Sequence, residues 1–233
     1  MGINILLMQT LDNKVIIYDN VCPMCQAYTA GFVQLGWLNH RTGFADAAPA
    51  LLQGIDLDRA RHEIPLHDTV TGETLYGLDA LFFLLGRRFP GLQPLFRWHI
   101  FRAPLYILYQ IITFNRRIIV GSAAPAVGFD CAPDVNRFYR WVYIGLALTW
   151  TTFLVAPLRP DAPFLWPAMG LLHGAALLLG LYLPKRLDLA GHGATMLLIN
   201  ALLLRLLPGE VVFQVGIFAL LVWIWRKRLA LVA

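Results

Sequence analysis

Apolar and polar positions follow one rhythm in the first half of the chain and another in the second. Residues 14–18, Lys-Val-Ile-Ile-Tyr, form a β-branched run that predicts a strand. A short turn at 19–22 leads into a helix-like pattern from about Pro23 to Trp37. Pro23 suits the first helical position, where its missing N–H has no intrahelical partner. Residues 42–45 predict a second strand and 55–62 a short helix. Residues 66–70 and 73–76, separated by Thr71-Gly72, predict a hairpin, and 78–88 an amphipathic helix. Past about residue 138 the pattern changes to long apolar blocks at 139–157, 163–183, 189–207 and 211–225. Three of these approach the ~20 residues needed to span a ~30 Å hydrocarbon core, and the fourth is short. Their connections, LRPDA, PKRLD and PGE, are tight enough to predict an antiparallel bundle.

Composition sharpens this division. Of 233 residues, 58% are hydrophobic and 14% are charged, against about 25% charged in an ordinary soluble domain. The expected organisation is an α/β domain at 1–120, a linker at 121–138 and a four-helix transmembrane bundle at 139–233. The net charge is +5, but the first 120 residues are almost balanced. The surplus flanks the apolar blocks at Arg137, Arg140, Lys185, Arg186, Arg226, Lys227 and Arg228. No basic-aromatic stripe accompanies it, so nucleic acid is not expected as a partner. Read as a topology signal, this charge places both termini and the first domain on the cytoplasmic side of the inner membrane, with the lipid bilayer as a partner. Trp141, Trp150, Trp166, Trp223 and Trp225 fall near span ends, as interfacial aromatics do. The N-terminal MGINILLMQTLDNK lacks the basic region and cleavage site of a secretory signal.

The chemistry concentrates in VIIYDNVCPMCQAYTAGF, residues 15–32. Cys22 falls at the start of the predicted helix, where unpaired N–H groups and the macrodipole favour an anion. Such sites lower a cysteine pKa from about 8.5 toward 3.5–7.5, and the thiolate is the nucleophile. Cys25 lies one turn further on, on the same face and more enclosed. The expected mechanism is attack by an exposed Cys22 on a partner disulfide, with Cys25 resolving the mixed disulfide. Asp19 either takes the Cys25 proton and tunes the thiols or caps the turn. A metal reading lacks ligands, because Cys131 stands alone and His40, His62, His67 and His99 are scattered. A reading as two inert core cysteines neglects the helix-end chemistry. No metal or cofactor is expected.

Three further residues raise questions. Pro65 precedes the third strand. It is either a cis-proline facing the cysteines, with its backbone pairing a bound peptide, or a trans proline opening an edge strand. Cys131 lies in GSAAPAVGFDCAPDVN, residues 121–136, as a third redox cysteine or as an ordinary linker cysteine, and the second is the preferred reading. His173 and His192 invite a haem or quinone hypothesis. Their depths in the predicted bundle differ by roughly 10 Å, which is poor for two axial ligands. A packing hydrogen bond for His173 is preferred.

The predicted order β-α-β-α-β-β-α is a thioredoxin-like arrangement. YDNVCPMC resembles the Asp-x-x-Cys-x-x-Cys signature of the DCC family of thiol-disulfide oxidoreductases. The resemblance continues through FADAAPALLQ, LHDTVTGETLYGLDALFFLLGRR and LYQIITFNRR, covering about residues 12–120. It carries to Asp19, Cys22 and Cys25. It implies a thioredoxin-like fold and a dithiol activity toward a protein or small-molecule disulfide or dithiol. Beside the motif, Pro23 and Pro65 are the candidate substrate-binding residues. Asn20 stands where the family usually has Gly, and Asn tolerates a left-handed turn. The expected function is a membrane-anchored oxidoreductase, acting in a reducing cytosol as a reductase. The alternatives are a redox sensor that recruits a partner, or a quinone-coupled oxidoreductase.

Overall fold

Lys14–Tyr18 (β1) has the β-branched composition of a strand with no solvent-facing side. Its neighbours show why. Ile16 and Ile17 are both 0% exposed and point to opposite faces, as the two-residue period of a strand requires. Ile16 packs with Leu38, Ile64, Leu66, Ala80 and Leu84. Ile17 packs with Phe44, Ile55, Ala60, Tyr76 and Cys131. Each contributes about 1.5–3 kcal/mol by leaving water. The computed structural model describes residues 12–123, 129–131, 133–155, 171, 174, 178, 185–206 and 211–232. It divides into two units, Met1–Val135 and Asn136–Ala233.

In the first unit β1 leads into a helix at Pro23–Gln34 (α1), then β2 at His40–Gly43. Two short helices follow, Pro49–Leu52 (α2) and Leu57–Ala60 (α3). The strands Pro65–Asp68 (β3) and Thr74–Tyr76 (β4) precede the helices Gly77–Arg88 (α4), Gln93–Arg97 (α5) and His99–Val120 (α6). The sheet order is β2-β1-β3-β4. β1 pairs parallel with β2 and antiparallel with β3, and β3 pairs antiparallel with β4. This puts β1 in the interior of the sheet, so its C-terminal end opens between flanking chains.

The hairpin is tighter at its first strand than the apolar pattern suggests. Asp68 ends β3 because its Oδ1 accepts the N–H groups of Val70 and Thr71, at 2.9 and 3.1 Å. Those donors are thereby removed from the ladder. Its Oδ2 also accepts Lys14 Nζ at 2.7 Å, tying the hairpin to β1. Helix α6 ends at Gly121, whose φ of 68° supplies the left-handed cap. It packs against α1 and α4. Part of the stretch read as a linker is packed into this unit. The Phe129 ring lies 4.9 Å from Phe44, Asp130 pairs with Arg117, and Cys131 is in the core.

In the second unit the described helices are Arg137–Val155 (α7), Arg186–Leu206 (α8) and Val211–Val232 (α9). Their packing core includes Leu189, Met196, Leu221 and Trp225. Polar groups are buried in it as well. Tyr143 and Thr195 share a 2.7 Å hydrogen bond, Arg140 lies 3.3 Å from Asp188, and Arg228 donates to His192 Nδ1 at 3.0 Å. This corrects the transmembrane expectation. Arg137 and Arg140 stand in the first turns of α7, Arg186, Asp188 and His192 within α8, and Arg226–Arg228 within α9 rather than beyond it. Among the described residues no helix is long and apolar enough to cross a membrane. The four-span bundle, the inner-membrane location and the cytoplasmic orientation derived from it are not supported. The block at 163–183 and His173 lie outside the described residues.

Candidate functional site

The site begins where β1 runs out. Asp19 follows the strand, and its side chain reorganises the next residues. Asp19 Oδ1 accepts the Val21 N–H at 3.0 Å, and the Asp19 carbonyl accepts the Cys22 N–H at 3.2 Å. This local turn competes with strand continuation, as short acidic side chains do. Asn20 has no left-handed backbone, since no non-glycine residue among those described has positive φ. The turn is held through its side chain instead. Asn20 Oδ1 accepts the Ala45 N–H at 3.0 Å, and its Nδ2 donates to Asp46 at 2.8 Å. Its carbonyl accepts Gln26 Nε2. Gly43 permits this approach, because a Cβ there would fall 2.2 Å from the Asn20 side chain.

Cys22 is the N-cap of α1 and Pro23 occupies the first helical turn, as the sequence suggests. The Cys25 N–H donates to Cys22 Sγ at 3.4 Å, so the thiol does the capping that Ser or Asp does elsewhere. No acidic residue stands in the first turn to oppose negative charge. Thr29 Oγ1 donates to the Cys25 carbonyl at 2.7 Å and fixes the same turn from below. All three cysteines are free thiols, so this is the reduced form. Cys22 is only 1% exposed and Cys25 4%. The expectation of an exposed Cys22 is therefore corrected: both sulfurs are enclosed.

Electrostatics separates the two thiols. Hydrogen bonding from the Cys25 side chain lowers the Cys22 pKa to about 6, against burial, with the Cys25 N–H and Arg116 assisting and Asp19 opposing. Donating to Cys22 and burial both push the Cys25 pKa well up, so Cys25 holds the shared proton. Two thiols with pKa values driven apart define a nucleophile and a proton-bearing partner.

Arg116 completes the arrangement, and sequence reasoning missed it. It projects from α6, is buried, and places Nη2 3.7 Å from Asp19 Oδ2 and 3.2 Å from the Arg61 carbonyl. Its buried Nε has no hydrogen-bond partner among the described residues. Burial disfavours its charge, and Cys25, Asp19 and Cys22 more than restore it. The available signal was a charged residue amid Ile111, Asn115 and Ile118, positions that form the buried stripe of α6.

The remaining candidates fall elsewhere. Pro65 opens β3 opposite Tyr76, in an entirely trans backbone among the described residues. Cys131 sits in the Ile17 core, and burial and then Asp19 push its thiol up to about 12, which leaves it protonated. His192 accepts a hydrogen bond from Arg228. No group of three His, Cys, Asp or Glu residues among those described is arranged to hold a metal ion. Comparison with protein-family models, curated proteins and solved structures finds no match for this chain.

Proposed function

We propose that the chain is a thiol-disulfide oxidoreductase on a thioredoxin-like unit of the DCC type, with Cys22 as nucleophile and Cys25 as resolving thiol. The observation that carries this reading is the Cys25 N–H on Cys22 Sγ at the head of α1. A sulfur so placed gains most as a thiolate, the form that attacks disulfides. The Cys22 thiolate attacks one sulfur of a partner disulfide, forming a mixed disulfide and releasing the other partner thiol. Cys25 then gives up its proton and attacks Cys22 Sγ, which releases the second partner thiol. Asp19 holds the turn and faces Arg116, and its field helps keep Cys25 protonated until that step.

Burial of both sulfurs favours a slim thiol or an extended segment over a broad protein surface as the reacting partner. The same burial favours a second reading, a redox-sensing pair that responds to small oxidants without turnover. Glutathione disulfide tests the assignment on the full chain. Cys25→Ser should accumulate a glutathione adduct on Cys22, because nothing resolves it. Adduct formation at Cys25 in the Cys22→Ser variant, at an equal rate, contradicts the assigned roles. Single-turnover oxidation without multiple turnovers selects the sensor.

A further inference from the structure

We infer that the Cys22/Cys25 couple works as a disulfide donor toward dithiol substrates, with buried Arg116 reinforcing this direction. The inference rests on the exchange reading above and names its substrate class. In the dithiol form, Cys22 Sγ accepts the Cys25 N–H at 3.4 Å at the head of a twelve-residue helix. Pro23 and Met24 precede that N–H, and the first turn carries no acid. Arg116 brings a permanent positive charge from α6 to Asp19, in the turn that presents Cys22. Asp19 does not neutralise it fully. Their 3.7 Å separation is an ion pair beyond hydrogen-bond distance, and Arg116 Nε has no hydrogen-bond partner among the described residues. Each of these groups acts on a negative Sγ and has little to act on in a neutral disulfide. Stabilising only the reduced form makes the disulfide readily surrendered. The ordering of effects at Cys22 agrees: hydrogen bonding from Cys25 comes first, and Arg116 outweighs Asp19.

The chemistry balances. A substrate thiolate attacks Cys22 Sγ of the protein disulfide. The Cys22–Cys25 bond breaks, and Cys25 leaves and takes up a proton. The second substrate thiol loses its proton and attacks the substrate sulfur of the mixed disulfide, so Cys22 leaves as the favoured thiolate. Two electrons pass from substrate to protein. A low-molecular-weight disulfide such as glutathione disulfide restores the protein disulfide and is itself reduced to two thiols.

Equilibration of the full chain with glutathione and glutathione disulfide, read by mass and thiol labelling, tests this. The constant favouring protein dithiol should stay flat below about pH 6 and rise about tenfold per pH unit above it, up to about pH 8, as Cys22 releases a proton on reduction. Arg116→Met should lower that constant severalfold at pH 7, and Arg116→Lys should recover part of the loss. A purely structural role for Arg116 would not be rescued by charge in the equilibrium constant. If Arg116→Met does not fold, Arg116→Gln takes its place, and the wild-type pH dependence decides the thiolate part. A constant flat to pH 8 overturns the inference even where a Cys22–Cys25 disulfide forms. Failure to form that disulfide at any glutathione ratio overturns the exchange reading itself.

Discussion

Arg116 Nη2 lies 3.7 Å from Asp19 Oδ2, joining the last helix of the first unit to the turn that presents Cys22. Both groups are buried, and both act on the same pair of sulfurs with opposite sign. Arg116 favours the thiolate and Asp19 opposes it.

Replacing Asp19 by Asn should therefore lower the pKa of Cys22 below its value of about 6. Asn keeps an oxygen to accept the Val21 N–H, so the turn persists. Thiolate absorbance followed against pH reads the shift. An upward move contradicts the sign assigned to Asp19.

Cys25 lowers the Cys22 pKa chiefly through its side-chain hydrogen bond. Cys25→Ala removes that donor and should move the alkylation midpoint of Cys22 up toward the ordinary thiol value of about 8.5. Cys25→Ser keeps a hydroxyl donor and should move it less. Alkylation rate against pH measures both variants, and equal shifts would show that the side chain of residue 25 does not set the pKa. Because Cys22 is 1% exposed, a small reagent should react faster than a bulky maleimide at every pH.

Asp68 carries the hairpin turn and the tie to β1 together. Lys14 and the Thr71 and Val70 N–H groups hold its pKa down to about 2. A folded-state pKa below the unfolded value of about 3.9 contributes stability that is present above that value and lost as pH falls through about 2. Asp68→Ala should cost about 2 kcal/mol at pH 7, since two N–H donors and one ammonium lose their acceptor. Urea unfolding at pH 7 and near pH 2 checks this: the difference between variant and wild type should shrink at the lower pH.

Gly43→Ala should disturb the site without touching sulfur. Its Cβ would fall 2.2 Å from Asn20, so Asn20 must leave Ala45 and Asp46. A cost of about 1–3 kcal/mol is expected from such overpacking. The alkylation midpoint of Cys22 should move with it, because Asn20 anchors the turn. A destabilised variant with an unchanged midpoint would separate that anchor from the thiol.

Much of the first unit was legible because local chemistry and tertiary packing agree there. The run KVIIY reads as a strand buried on both faces, and Pro23 marks the helix start beside Cys22. Side chains hid the rest. Asp68 cuts β3 short by capturing two N–H groups, which no hydrophobic period reveals. Asn20 builds the turn from its amide, so its place in the motif misled about backbone handedness. Arg116 lies far along the chain from the cysteines, and only the packing of α6 brings it near them. In the second unit the apolar blocks were visible, but of the residues treated as flanking charges all except Lys185 belong to the helices themselves, and Arg140 and Arg228 are buried there beside His192.

Catalysed oxidation of a model dithiol peptide by the full chain, with glutathione disulfide as terminal oxidant, tests thiol-disulfide exchange at Cys22 most directly. The wild type should exceed the uncatalysed rate through many turnovers, Cys22→Ser should fall to that background, and Cys25→Ser should stall after forming a mixed disulfide. Equal rates for the wild type and Cys22→Ser would contradict the account.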